Sequence, residues 1–153
     1  MEREKEFKVS AIKDGTVIDH IPSEQLFRVI EILGLAHCTT QMTFGMNLES
    51  KRMGNKAIIK ITDKFFEEDD INRIALIAPH AKFNIIRDYR VVEKRSVTIP
   101  ETIVGIARCV NPKCITNHQA VATHFNAQLT TGGLKLTCRY CEKVTDSQTL
   151  IIE

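Results

Sequence analysis

With 153 residues, 43% hydrophobic and 26% charged, the chain has the composition of an ordinary globular protein and room for one domain or two small ones. A net charge of +2, with neither residues 1–100 nor residues 101–153 more than one charge to the basic side, argues against a nucleic-acid partner. No apolar run approaches the roughly 20 residues of a membrane-spanning helix, so no membrane is expected.

The first six residues, Met1 to Glu6, alternate in charge with no apolar segment behind them, so a cytoplasmic chain with no secretory signal is expected. In a reducing compartment five cysteines point to metal binding rather than disulfides. Residues 6–13 place Phe7, Val9 and Ala11 on one face of a strand, with Gly15 as a turn after it. Residues 16–21 lead to Pro22, and Ser23 is suited to cap a helix whose apolar positions are Leu26, Val29, Ile30 and Leu33, with Gly34 at its exit.

Residues 41–48 read as a strand through the alternation of Met42, Phe44 and Met46. A polar hairpin loop at 49–55 joins it to a β-branched strand at 57–61. Glu67, Glu68, Asp69 and Asp70 put negative charge at the positive end of a second helix. Its stripe is Ile71, Ile74, Ala75 and Ala78, and Pro79 stops it. Residues 81–86 and 89–94 are two further strands around a turn at Arg87-Asp88.

The order β-α-β-β-α-β, with a possible fifth strand, is that of an α+β, ferredoxin-like antiparallel sheet with two helices. A boundary is expected at 96–101, dividing residues 1–97 from a small all-β, zinc-ribbon-like domain at 98–153.

That second domain holds Cys109-Val-Asn-Pro-Lys-Cys114, 23 intervening residues, then Cys138-Arg-Tyr-Cys141. Two close pairs with a hairpin's length between them suit four thiolates around one zinc ion. The chain reverses at Thr131-Gly132-Gly133. Four buried core cysteines is the plain alternative, and iron also accepts this ligand set. His118 and His124 are spare once four thiolates close the site, and closure leaves no position for substrate, so the ion is structural. No deaminase pattern accompanies the cysteines. Cys38 reads as a small buried hydrophobe.

The N-terminal half carries no phosphate-loop motif. Asp19 and His20 adjoin before a proline, Lys56 and Lys60 share one face of a strand, and Lys94 ends the last strand. Ammonium groups with one carboxylate suit a nucleotide, although each taken alone is an ordinary surface charge.

The stretch Ala11-Ile12-Lys13-Asp14-Gly15-Thr16-Val17-Ile18-Asp19-His20-Ile21-Pro22 closely resembles the regulatory chain of aspartate carbamoyltransferase. Gly45-Met46-Asn47-Leu48, Lys56, Ile59-Lys60-Ile61, Asn84-Ile85-Ile86, Tyr89, the four-cysteine spacing and Cys141-Glu142-Lys143 extend the likeness over the whole chain. The resemblance implies a non-catalytic regulatory subunit of pyrimidine biosynthesis with ATP as activator and CTP and UTP as inhibitors. It implies homodimers formed through the N-terminal domains, and one structural Zn2+ per chain in a domain that docks on the catalytic chain. Regulatory dimers would thereby bridge catalytic trimers.

Carried onto this sequence, Ala11, Ile12, Ile86 and Tyr89 would read the base. Val9, Asp19 and Lys60 would hold the ribose region, and His20, Val91, Lys94 and Lys56 would meet the phosphates. Ser10 stands where the family pattern has Glu. The competing reading is a stand-alone zinc-ribbon nucleic-acid-binding protein, disfavoured by the charge balance. A metalloenzyme is disfavoured by the closed ligand set.

Overall fold

The structure is a computed structural model that describes residues 11–131 and 133–152. Phe7, Val9, Ser10 and Gly132 lie outside the described residues. The chain divides into two compact units between Val97 and Thr98.

The first unit runs β1 (Gly15–Ile21), a 3-10 turn (Ser23–Gln25), α1 (Leu26–Ile32) and a second 3-10 turn (Leu35–His37). It continues through β2 (Met42–Ser50), β3 (Gly54–Thr62), α2 (Glu68–Ile74), β4 (Lys82–Arg87) and β5 (Arg90–Ser96). The sheet order is β2-β3-β1-β4-β5 with every neighbour antiparallel. Crossovers through α1 and α2 produce the split βαβ arrangement, and β5 extends it by one strand.

Period-two alternation decides which face is covered. Ala57, Ile59 and Ile61 of β3 are buried, while Lys56, Ile58 and Lys60 between them are partly exposed. Ile18 and Phe83, opposite each other in register, are buried, as are Leu26, Val29 and Ile30 of α1 and Ile71 and Ile74 of α2. Each such side chain contributes about 1.5–3 kcal/mol on leaving water. The opposite face of the sheet holds Val17, Lys60, Asn84 and Lys94, and among the described residues it carries no helix of this unit.

Four local expectations are corrected. The strand expected at 6–13 falls partly outside the described residues, and residues 11–14 are irregular. Gly15, expected as a turn after that strand, instead opens β1 at Gly15–Ile21. Its φ of 148° and its closeness to the Ile61 carbonyl oxygen leave no space for a side chain. Ser23 does not cap α1, because its hydroxyl accepts the Asn47 backbone N–H at 3.0 Å. Tyr89 is not in a strand: Asp88 and Tyr89, with φ of 51° and 65°, form the two-residue turn between Arg87 and Arg90. Positive φ at both positions is the backbone of a twisted hairpin's type I′ turn. The fourth correction concerns α2, which ends at Ile74 with Ala75 as its C-cap, so Ala78 lies beyond the helix and Pro79 is not what stops it. Gly34 takes the left-handed exit after α1, and Glu67 and Asp70 form a capping box on α2.

The second unit contains β6 (Thr102–Val104), β7 (Ala107–Arg108), β8 (His124–Thr130), β9 (Gly133–Cys138), β10 (Val144–Asp146) and β11 (Ile151–Ile152). They form a sheet in the order β10-β9-β8-β6 and a small β11-β7 pair. Ile103, Phe125, Leu134, Leu136 and Leu150 make its core. This is a short list for a domain that must fold. No helix among the described residues of the chain is long and apolar enough to cross a membrane.

Candidate metal centre and candidate ligand face

The four cysteines converge. Cys109 follows β7, Cys114 precedes the 3-10 turn Ile115–Asn117, Cys138 ends β9 and Cys141 lies in the turn beyond it. Their sulfurs lie within 4.8 Å of one another, with Cys109 to Cys141 at 3.6 Å and Cys114 to Cys138 at 3.7 Å. These separations are too long for disulfide bonds. They fit a tetrahedron whose metal–sulfur bonds of about 2.3 Å give edges of about 3.8 Å.

Backbone geometry fixes the two loops. Asn117 Nδ2 donates to the carbonyls of Cys109 at 3.0 Å and Asn111 at 2.8 Å. The Asn111 carbonyl also accepts Cys114 N–H at 3.0 Å. In the second loop Glu142 N–H donates to the Cys138 carbonyl at 2.8 Å, and Glu142 takes a φ of 63°. Sequence reasoning missed Asn117, since an amide in a loop carries no signal until its two carbonyls are known. Thr116, whose hydroxyl lies 3.2 Å from Cys114 Sγ, was missed for the same reason.

Burial pushes the Cys109 thiol up to about 12 and raises Cys138 as well. Burial acts upward on Cys141 too, but the Lys143 backbone N–H and the side chains of Asn111, Cys109 and Cys138 outweigh it and leave this thiol at about 7. Packing four such groups together is costly without a cation to bind their thiolates. His118 and His124 stand outside the cluster: His118 Nε2 meets the Pro112 carbonyl at 2.7 Å, and His124 Nε2 meets Arg139 at 3.0 Å. Cys38 is half-buried rather than buried, with its sulfur 3.0 Å from the Thr40 hydroxyl.

In the N-terminal unit the uncovered sheet face collects the polar residues into rows. Residues opposite one another in register share a face. Lys60, Val17, Asn84 and Lys94 form one row across β3, β1, β4 and β5. One step along, Asp19 lies opposite Lys82, which lies opposite Ser96. One step the other way, Gly15 lies opposite Ile86 and Ile86 opposite Val91.

The β1–β3 register shifts between Ile18 and Ile21, and His20 takes a φ of 58°. This bulge takes Asp19 and His20 out of the β1–β3 ladder, while Asp19 stays opposite Lys82 of β4. Lys56 Nζ reaches Asp19 Oδ1 at 2.8 Å, and His20 Nε2 stands 4.0 Å from Asp19 Oδ2. His20 Nδ1 is buried with no hydrogen-bond partner. Burial lowers the His20 pKa, the Asp19 carboxylate pulls it up, and the cations of Lys56, Arg52 and Lys82 push it down again.

Ala11 is exposed and Ile12 half-buried. Their segment is clipped to the Asp88–Tyr89 turn by Tyr89 N–H donating to the Lys13 carbonyl at 2.9 Å and Asp88 N–H to Asp14 Oδ1 at 3.1 Å. Direct contact thus joins Asp19, His20 and Lys56. Register joins Lys60 with Lys94, and Ile86 with Val91. The loop contact brings the segment of Ala11 and Ile12 to the end of the sheet that carries Tyr89. Lys82 and Val17 were not singled out from sequence, because one strand lysine or valine looks like any other before its partner is known. Among the described residues the four cysteines are the one cluster of three or more metal-ligating side chains.

Two family models match the chain. One is the aspartate carbamoyltransferase regulatory chain, allosteric domain, over residues 7–98, and the other is the metal binding domain of the same chain, over residues 101–151. The aspartate carbamoyltransferase regulatory chain of Bacteroides fragilis is 54% identical over 142 residues, 93% of this chain and 92% of the relative. That of Parabacteroides distasonis is 49% identical over 99% of this chain and 98% of its own length. The archaeal protein of the same name from Pyrococcus abyssi is 49% identical over 95% and 97%.

Proposed function

Because the chain belongs to the aspartate carbamoyltransferase regulatory-chain family, a non-catalytic subunit of the pyrimidine pathway, we propose that its N-terminal unit receives ATP, CTP and UTP while its zinc-closed C-terminal unit docks on the catalytic chain. The observation that carries the reading is the Lys60–Lys94 row set beside the Asp19–His20–Lys56 cluster. Ammonium and imidazolium groups match phosphate oxygens, and a carboxylate accepts from two ribose hydroxyls. The span from β3 to β5 is roughly 14 Å at ordinary strand spacing, which long lysine side chains can bridge onto one nucleotide. The base then falls toward Ala11, Ile12, Ile86 and Tyr89, and Val91, opposite Ile86 in register, meets the phosphates with His20 and Lys94. Val9, outside the described residues, belongs to the same proposal.

Zinc held by Cys109, Cys114, Cys138 and Cys141 supplies cross-linking alone, since four thiolates fill its coordination. The ligand loops present Ile115 and Tyr140 outward, 42% and 49% exposed, as apolar contacts for the catalytic chain. Dimerisation of regulatory chains is supported by the edge strand β2, which carries exposed Phe44 and Met46, with the Phe44 ring meeting exposed Phe27 edge-on at 6.1 Å. Such dimers would bridge catalytic trimers in the cytosol, where thiolates persist. Catalytic-chain activity, measured with and without this chain and titrated with ATP and CTP, tests the proposal. A response to either nucleotide that appears only with this chain present is the expected result. Unchanged activity under both nucleotides overturns it.

A further inference from the structure

At the end of the β4–β5 hairpin away from its turn lies a cavity of about 410 Å³ that the nucleotide reading does not use. Arg52 and Met53 enter it from the β2–β3 loop, Pro79 and His80 from the segment before β4, Lys82 from β4 and Ser96 from the end of β5. Basic side chains from two separate pieces of chain, Arg52 in one and His80 and Lys82 in the other, thus face one space, and no carboxylate is among its lining residues. The acid opposite Lys82 in register is Asp19, already held by Lys56 at 2.8 Å.

Lys82 Nζ donates to Ser96 Oγ at 3.0 Å, which fixes an ammonium and a hydroxyl side by side. That pairing suits a tetrahedral oxyanion: the ammonium supplies charge, the hydroxyl a directed donor, and the Arg52 guanidinium a fork of parallel N–H groups. We propose that this cavity is a separate anion site, for a small phosphate-type dianion, beside the nucleotide face. Arg52 and Lys82 also press electrostatically on His20, so an anion seated between them relieves that repulsion and is felt at the imidazole.

Titration of the full chain with orthophosphate, without nucleotide, followed by calorimetry and by the His20 imidazole resonance, tests the site. Saturable binding that shifts this resonance is expected. Lys82→Gln and Arg52→Gln should each weaken it about tenfold, the loss of one charge-assisted contact. Arg52 lies exposed in a hairpin loop, so its variant keeps the test alive if Lys82→Gln folds poorly. Lys94→Ala, one row away, should leave phosphate affinity within about twofold. A second titration with CTP present should find both ligands bound together. Mutual exclusion would make the cavity part of the nucleotide face and overturn the proposal, as would phosphate binding indifferent to both substitutions or no saturable binding. Phosphate binding in a chain that ignores CTP would uphold this site and sink the nucleotide reading.

Discussion

Lys94 stands opposite Asn84 on the uncovered sheet face, exposed and at the end of the basic row. Its proposed work is one charge-assisted contact to phosphate. Lys94→Ala should therefore cost about 1.5–3 kcal/mol of ATP and CTP binding, roughly ten- to a hundred-fold, with the metal unit intact. Calorimetry that finds unchanged affinity would remove Lys94 from the site. His20 makes a prediction about pH. Its folded-state pKa is lowered, chiefly by burial, so below the ordinary value the unfolded chain binds the proton first. The stability it contributes is complete above about pH 6.5 and lost as pH falls through the lowered value. Phosphates beside the imidazole act in the opposite direction. CTP binding should take up a proton and tighten between about pH 8 and pH 6, and His20→Gln should abolish both effects. Calorimetry in buffers of different ionisation enthalpy reads the proton directly.

At the scale of the element, Gly15 shows how one backbone position sets a strand. It opens β1 between Thr62 and Ile86 with a φ of 148°, and an added Cβ would strike the Ile61 carbonyl oxygen. Gly15→Ala should destabilise the N-terminal unit by about 1–3 kcal/mol, seen as a lower urea midpoint at unchanged slope. The strands after β1 were readable, whereas β1 itself, Gly15–Ile21, was not. The β-branched run around Ile58, Ile59 and Ile61 marks β3, and the acidic run before Ile71 announces the start of α2. What escaped depends on partners far away in sequence. Ser23 is drawn from its cap by Asn47, and the bulge at Asp19–His20 is a property of two strands together. The cysteines were legible as a ligand set because thiols in two close pairs have few other uses. Lys82 was not, because a solvated lysine and a lysine opposite Asp19 are written the same way.

For the molecule as a whole, two units with separate cores predict separable losses. The C-terminal unit, about 50 residues around a small apolar core, depends on its metal for a folding term on the order of 10 kcal/mol. A thiol reagent that displaces the ion should unfold this unit and leave the N-terminal unit binding nucleotide. The catalytic subunit released by that loss should remain active and stop responding to ATP and CTP. Effector control that survives loss of the metal would rule out metal-dependent docking as the path of coupling.

The four sulfurs come from both sides of the β8–β9 turn, Cys109 and Cys114 ahead of β8, Cys138 at the end of β9 and Cys141 just beyond it. Coordination therefore ties the stretch from Cys109 to Cys141 into a ring whose far side is the exposed turn beside Thr131. Cutting that turn with a protease severs the chain but not the ring's other closure, because each fragment keeps half of the ligands. The nicked protein should migrate as one particle on a native gel while its polypeptide runs as two on a denaturing one. A chelator should then part the halves, so that the ion serves as a rivet holding a molecule already broken in its backbone.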